Sequence, residues 1–289
     1  MIYYPVRGQE LLAAAMGTVL NEDDYIVTTY RGLHDQLAKG VPLKALWAEF
    51  LGRVDGTCKG KGGPMHITHP ETGVMVTTGI VGSGMPVATG LALASQVRRD
   101  GKVTVVSFGD GASNIGAFHE AMNLASVWNL PVVFFCQNNT YAEHTAFAKG
   151  TGCERIVDRA VGYGMHGVRV DGNDPVAMYE AARDAVARAR NGEGPTLLEA
   201  MTYRFKGHSL GSTYDYMPKD LYAAAEEVDP LRTFRPWMIA QGLASDEELT
   251  AIEQEIEAEL DEAVEYGFAS EFPSEDEVLT DVMHKETAA

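Results

Sequence analysis

Cysteine is scarce in this sequence, and no two cysteines are placed for joint chemistry. Cys58, Cys136 and Cys153 are widely spaced and form no CxxC pair. Neither a zinc site nor a dithiol redox centre is therefore expected. Cys136 closes an apolar run and is expected to be a buried core thiol; the cysteine usage suits a reducing cytoplasm. Positive charge is scarce too. Lys and Arg number 23 against 41 Asp and Glu, a formal net charge of −18. Such a chain repels nucleic acid and anionic membranes unless a local basic patch overrides its field. None is visible, since Lys59 and Lys61 sit in a glycine cluster. That cluster, KGKGG at 59–63, lacks the GK[ST] of a Walker loop, and no GxGxxG follows an expected strand. No apolar run reaches the roughly 20 residues that span a bilayer. The opening MIYYPVRGQE has neither a basic n-region nor an apolar core, so no secretory signal is expected.

The 289 residues are 45% hydrophobic, enough to bury the core of one large domain. The first 63 residues are mixed and show no clear period. Residues 79–99 begin as a glycine turn and continue as an apolar, small-residue helix. Gly84, Ala88 and Ala92 recur at i, i+4, which suits either internal packing or a subunit contact. From residue 103 the pattern alternates. VTVVSF (103–108) and PVVFFC (131–136) are continuous apolar, β-branched runs of the kind found in buried strands. GVRV (167–170) and TLLEAMTYR (196–204) complete the strands, with helices expected over 114–128, 153–164 and 175–191. Alternating strands and helices imply an α/β fold, a parallel sheet flanked by helices. Ligands of such sheets sit beyond the carboxyl ends of the strands. A helical C-terminal region follows. Its clearest helix starts at the capping-box pair Ser245 and Glu248 and carries an apolar stripe of Leu249, Ile252, Ile256 and Leu260. Residues 1–289 are expected to form a single domain, with 219–289 as its helical extension.

Two strand ends carry the chemistry. VTVVSF runs into Gly109-Asp110-Gly111, and PVVFFC runs into Gln137-Asn138-Asn139. Neighbouring parallel strands would present a carboxylate and an amide oxygen at one sheet edge. Both are hard ligands suited to Mg²⁺, which usually keeps phosphate oxygens among its ligands. The glycines leave backbone N–H groups free to face a phosphate, and a helix opening near Asn114 would add its positive end.

GDG, 26 residues (112–137) and NN form the thiamine diphosphate signature. The wider text resembles the alpha subunit of the decarboxylating component of 2-oxo acid dehydrogenase complexes. TTYRG (28–32), GKGGPMH (60–66), GIVG (79–82), RVDGND (169–174), GPTLLEAMTYR (194–204) and GHS (207–209) match in order. The resemblance covers roughly residues 8–210 closely and the tail loosely. It implies that Asp110 and Asn139 ligate Mg²⁺ through side chains and Tyr141 through its carbonyl. Gly111 and Ala112 would offer N–H groups to the diphosphate, Tyr30 and Arg31 would contact it, and Gly79 and Val81 would hold the aminopyrimidine through backbone. His208 would be the catalytic histidine facing the cofactor's reactive carbon. The implied activity is decarboxylation of a 2-oxo acid and transfer of the acyl group to a lipoyl acceptor. An acetoin-cleaving branch applies the same chemistry to a hydroxyketone. The family's activating glutamate lies on a separate beta subunit. The resemblance thus implies an α2β2 assembly, a lipoyl-bearing acyltransferase partner and a cytoplasmic location.

Several positions depart from the family. GQE stands at 8–10, which suggests a truncated or a shorter subunit. YRGLHDQLA replaces the usual YRGHGHALA, so Leu33 and His34 are altered positions near the substrate side. Glu143 and His144 stand where many relatives carry small or apolar residues; they are expected either to line the substrate side or to face solvent. After GHS, Ser212 occupies an aspartate position. Two rivals remain: a subunit of a split transketolase-like or non-oxidative thiamine enzyme, and a non-catalytic partner subunit.

Overall fold

The β-branched runs pair in parallel throughout. In the computed structural model, which describes residues 2–282, the strands are β1 Tyr25–Thr29, β2 Val74–Thr78, β3 Thr104–Gly109, β4 Val132–Asn138, the short β5 Tyr141–Ala142 and β6 Thr145–Ala146, β7 His166–Asp171 and β8 Thr196–Met201. Six form one sheet in the order β2-β1-β3-β4-β8-β7, and β5 and β6 form an antiparallel hairpin. The helices are α1 Glu10–Val19, α2 Leu33–Ala38, α3 Leu43–Phe50, α4 Gly84–Arg98, α5 Gly116–Val127, α6 Phe147–Gly150, α7 Pro175–Arg190, α8 Lys219–Glu227, α9 Pro230–Ala240 and α10 Asp246–Ala269.

The α/β expectation holds, and alternation along the strands explains the layers. Successive side chains of a strand point to opposite faces. On β4, Val133 and Phe135 enter a core shared with Leu12 and Met16 of α1 and Met178 and Ala182 of α7. Val132, Phe134 and Cys136 enter the opposite core, against Met85, Ala88 and Ala92 of α4 and Phe118 and Met122 of α5. Cys136 is thus a buried core thiol. The small-residue face of α4 carrying Gly84, Ala88 and Ala92 is used for packing within the chain.

Several local expectations are corrected. β1 and β2 have five residues each, too short to show a period in sequence, and their pairing with each other and with β3 defines them. TLLEAMTYR leaves the sheet after Met201: Thr202 still donates its N–H to Asn138 O (2.9 Å), but its hydroxyl turns to Gly8 O (2.7 Å). The segment 153–164 is a 3-10 helix over Ile156–Tyr163. The helix expected over 114–128 is α5 and opens two residues after Asn114. Asp110–Asn114 is a 3-10 turn, and α5 starts at Gly116. Asn114 is instead spent on the neighbouring loop, donating to Thr151 Oγ1 (2.8 Å) and accepting from Arg159.

The helical extension past 218 is tied to the main body by named contacts; its last residues, 283–289, lie outside the described residues. Asp229 is buried and takes both guanidinium nitrogens of Arg7. α10 has the expected capping box and packs on α3 through its C-terminal half. A Cβ on Gly267 would come within 3.2 Å of the Trp47 backbone. The apolar stripe is not the buried face: Ile252 and Ile256 are about half exposed, because close approach to α3 needs the small side of the helix, at Ala263 and Gly267.

Candidate active site at the carboxyl edge of the sheet

The loops leaving β1, β2, β3, β4 and β8 converge on one cavity of about 420 Å³. It is lined by Tyr30 and Arg31 after β1, Gly79 and Val81 after β2, Asp110, Gly111 and Ala112 after β3, Asn139, Tyr141 and Glu143 after β4, and His208 after β8. Parallel pairing with Gly109 opposite Gln137 brings the β3 and β4 ends to the same level. Three expected positions are placed elsewhere. Leu33 packs against the core on the α1 side. His34 is buried behind the cavity, its Nε2 3.0 Å from Gln137 Oε1. His144 is outside the lining, exposed beside Glu143, with its ring edge-on to Tyr216 at 4.6 Å.

Asp110 is 1% exposed, and its Oδ2 has no hydrogen-bond partner. Burial pushes its carboxyl up to about 6, partly offset by a backbone hydrogen bond. A buried, unpartnered carboxylate oxygen facing a cavity invites a cation. Gly111 is required by space: a Cβ there would lie 2.6 Å from the Cβ of Ala142 on the β5–β6 hairpin. That hairpin turns through Thr140 and Glu143, both at positive φ, with Glu143 at its tip.

Positive charge enters the cavity through Arg31. Arg31 is buried, donates to Pro5 O (2.6 Å) and His208 O (2.8 Å), and has no carboxylate partner among the described residues. Burial, then the nearby Arg204, pulls its guanidinium down to about 10. Arg204 is itself 1% exposed. It donates to Glu143 O and to the Tyr216 hydroxyl, leaving Nε and Nη1 without partners. Among the described residues neither guanidinium pairs with a carboxylate, and Arg31, which lines the cavity, is suited to meet an anion there. His208 stands beside them, its ring against Tyr4 (5.1 Å) and Tyr30 (5.9 Å). Burial, then Arg31, lowers its pKa to about 4, so it is neutral near pH 7. Ser209 and Ser212 close the loop after it, their hydroxyls 2.7 Å apart.

The glycine cluster has a different use. Glu49 is fully buried, and its carboxylate accepts from the backbone N–H groups of Cys58 (2.7 Å), Gly60 (2.9 Å), Gly62 (2.8 Å) and Gly63 (2.9 Å). The loop resembles a phosphate cradle because it cradles an internal anion. Sequence reading missed Glu49, Gln9 and Arg204. Buried polar residues were the signal, and no local pattern marks which of them are buried.

Among the described residues no three His, Cys, Asp or Glu side chains cluster in a way that could hold a metal ion. Likewise no helix of the described residues is long and apolar enough to cross a membrane.

A buried carboxylate with an unpartnered oxygen and a buried arginine line one cavity at the carboxyl edge of a parallel sheet, where ligands of such folds bind, and the pair suits a phosphorylated ligand held with a cation. The chain belongs to the dehydrogenase E1 component family, whose model matches residues 1–274. It is 44% identical over 276 residues to the alpha subunit of the acetoin:2,6-dichlorophenolindophenol oxidoreductase of Bacillus subtilis (strain 168), covering 95% of this chain and 82% of that one. The corresponding subunit of Cupriavidus necator is 42% identical over 282 residues, covering 95% and 83%. The pyruvate dehydrogenase E1 component subunit alpha of Rhizobium meliloti (strain 1021) is 35% identical over 277 residues, covering 96% and 80%. The family implies thiamine diphosphate as cofactor and a beta-type partner subunit.

Proposed function

We propose that the chain is the alpha subunit of a thiamine diphosphate- and Mg²⁺-dependent dehydrogenase acting on a 2-oxo acid or a hydroxyketone, and that it holds the metal and diphosphate end of the site. The observation that carries this is the unpartnered Asp110 Oδ2 in a cavity shared with Arg31. The donor set fits the ion: Asp110 and Asn139 side-chain oxygens and the Tyr141 carbonyl are hard ligands. Tyr30, Arg31 and the N–H groups of Gly111 and Ala112 would hold the diphosphate, and the backbone of Gly79 and Val81 the aminopyrimidine. Bound thiamine diphosphate supplies an electron sink for breaking the bond next to the substrate carbonyl. His208, neutral and next to Arg31, would offer a ring N–H as a hydrogen bond to the substrate oxygen without carrying its own charge into the site. The Tyr4 and Tyr30 rings pack against the His208 ring.

The partner follows from what the lining lacks. Its only carboxylates among the described residues are Asp110 and the exposed Glu143 at the hairpin tip, so a buried activating glutamate is expected from a beta subunit, in an α2β2 assembly. Ile80 and Val81, exposed at the cavity rim, offer apolar surface for such a chain. The acyl group then passes to a lipoyl-bearing acyltransferase component. The higher identity to the acetoin-named relatives puts acetoin first among substrates to test, ahead of pyruvate. Residues 219 onward are best described as an extension of the same domain, since Asp229 and α10 pack on Arg7 and α3.

Calorimetry on the chain co-produced with its beta subunit tests the proposal. Thiamine diphosphate is expected to bind with Mg²⁺ and to bind much more weakly without it; no binding would overturn the proposal. Turnover with a lipoyl-domain acceptor distinguishes it from a transketolase-like enzyme, which would need a sugar phosphate.

A further inference from the structure

Behind Asn139 runs a line of buried polar side chains with no part in the chemistry above. Asn139 Nδ2 donates to Gln9 Oε1 (2.8 Å). Gln9 Nε2 donates to Gln137 Oε1 (3.2 Å), and Gln137 Nε2 donates to Asp35 Oδ1 (3.0 Å). Thr28 Oγ1 donates to Asp35 Oδ2 (2.5 Å). All of these residues are buried, and they come from β1, α2, β4 and the segments bordering α1 and β4.

The line has a direction. A terminal amide has nearly the same shape in either flip, so its neighbours decide which end is oxygen. An Asp carboxylate only accepts. Asp35 therefore turns the Gln137 nitrogen toward itself and the Gln137 oxygen toward Gln9. Gln9 must then present its nitrogen to Gln137 and its oxygen to Asn139. At the far end Asn139 gives its nitrogen to Gln9, and its Oδ1 is left on the other side, accepting also from the Tyr141 N–H (3.2 Å). One flipped amide would set donor against donor or acceptor against acceptor among buried side chains, which is costly. The same polarity makes His34 donate from Nε2 to Gln137 Oε1, which leaves its buried Nδ1 without a partner.

We infer that the buried Asp35 carboxylate, acting through Gln137 and Gln9, sets the orientation of the Asn139 amide, so that an oxygen rather than an NH₂ group meets the cation of the site. This rests on the proposal that Asn139 is a cation ligand. Gln9, Gln137 and Asp35 are positioning residues; supports of this kind typically change metal affinity about 10–100-fold when removed.

The test is a Mg²⁺ titration, by calorimetry, of the chain co-produced with its beta subunit at fixed saturating thiamine diphosphate. Asp35→Leu keeps the branched shape but removes the acceptor at the anchor, and Gln9→Met cuts the line at near-constant volume. Both are expected to weaken Mg²⁺ binding at least about tenfold. Thr28→Val is the control: it removes a buried hydrogen bond to Asp35 yet leaves the polarity of the amides intact, and its Mg²⁺ affinity is expected to match wild type. A role in stability alone would move the thermal midpoints of all three variants and none of the Mg²⁺ affinities. Wild-type affinity in Gln9→Met, or an equal loss in Thr28→Val, overturns the inference. If Asp35→Leu does not fold, Gln9→Met against Thr28→Val decides. If the wild type itself shows no Mg²⁺-dependent binding, the functional proposal falls first and this inference with it.

Discussion

Asp110→Asn separates stability from cofactor binding at one atom. The Asp110 carboxyl is pushed from 3.8 to about 6 by burial. A rise of that size corresponds to about 3 kcal/mol favouring the neutral form. The direction matters. A carboxyl whose folded pKa is raised destabilises the fold only once it must ionise, so the penalty is absent below about pH 4 and full above about pH 6. Asparagine removes the charge but leaves an N–H near the unpartnered Oδ2 position, which takes back part of the gain. A net gain of about 2 kcal/mol is expected for the cofactor-free protein at pH 7, or about 4 °C in thermal midpoint for a chain of this size. The difference between variant and wild type is expected to shrink toward zero at about pH 4. Adding thiamine diphosphate with Mg²⁺ reverses the order, because only the wild type gains stabilisation from the bound ligand. Thermal unfolding of both proteins across this range, with and without the ligands, measures both effects. An Asn variant that is less stable than wild type at neutral pH without ligand, or that gains as much from cofactor and Mg²⁺, would refute the reasoning.

Glu49→Gln is expected to lower the thermal midpoint by about 6–10 °C. Two of the four buried N–H groups it serves would face a donor instead of a charged acceptor, a loss of about 3–5 kcal/mol. Calorimetry checks this, and a midpoint within about 2 °C of wild type contradicts it. His208 is expected to stay neutral far into the acid range, since burial and Arg31 hold its pKa at about 4 against the ordinary 6.5. Its stabilising contribution is therefore present above about pH 6.5 and lost as the pH falls toward 4. A proton NMR titration of the His208 ring, assigned with His208→Gln, shows this directly; a midpoint near 6.5 would be the opposite result. Glu143→Ala, at the hairpin tip on the cavity rim, is expected to reorder the preference among acetoin, pyruvate and longer 2-oxo acids. His144→Ala, outside the lining, is expected to change it less. Relative kcat/KM values decide, and an unchanged ranking in Glu143→Ala sinks the idea that this turn selects the substrate.

The parallel sheet was legible because β3 and β4 are fully buried, so VTVVSF and PVVFFC are continuous apolar runs bounded by Gly and Asn. The metal-type pair was legible for the same reason: strand ends in register deliver Asp110 and Asn139 to one edge whatever the loops do. Short strands such as β1 and β2 were not, since five residues do not establish a period and partners define them. Nor was the use of the α10 stripe. Amphipathicity marks a face able to be buried, whereas approach distance chose the small face at Ala263 and Gly267.

The sequence by itself determined the two strand–loop junctions, Gly109–Gly111 and Gln137–Asn139, and with them the place and chemistry of the cavity. Local covalent order suffices there, because each functional group directly follows a buried strand. Only the tertiary structure decided which charges lack partners and which way each amide faces. Among the described residues Arg31 and Arg204 meet no carboxylate, and the N–H groups of the KGKGG loop are already taken up by Glu49. Asn139 offers its oxygen because Asp35, 104 residues earlier in the chain, lies at the other end of a buried line of hydrogen bonds. Partnership and orientation depend on contacts between distant segments, and those exist only once the chain has folded.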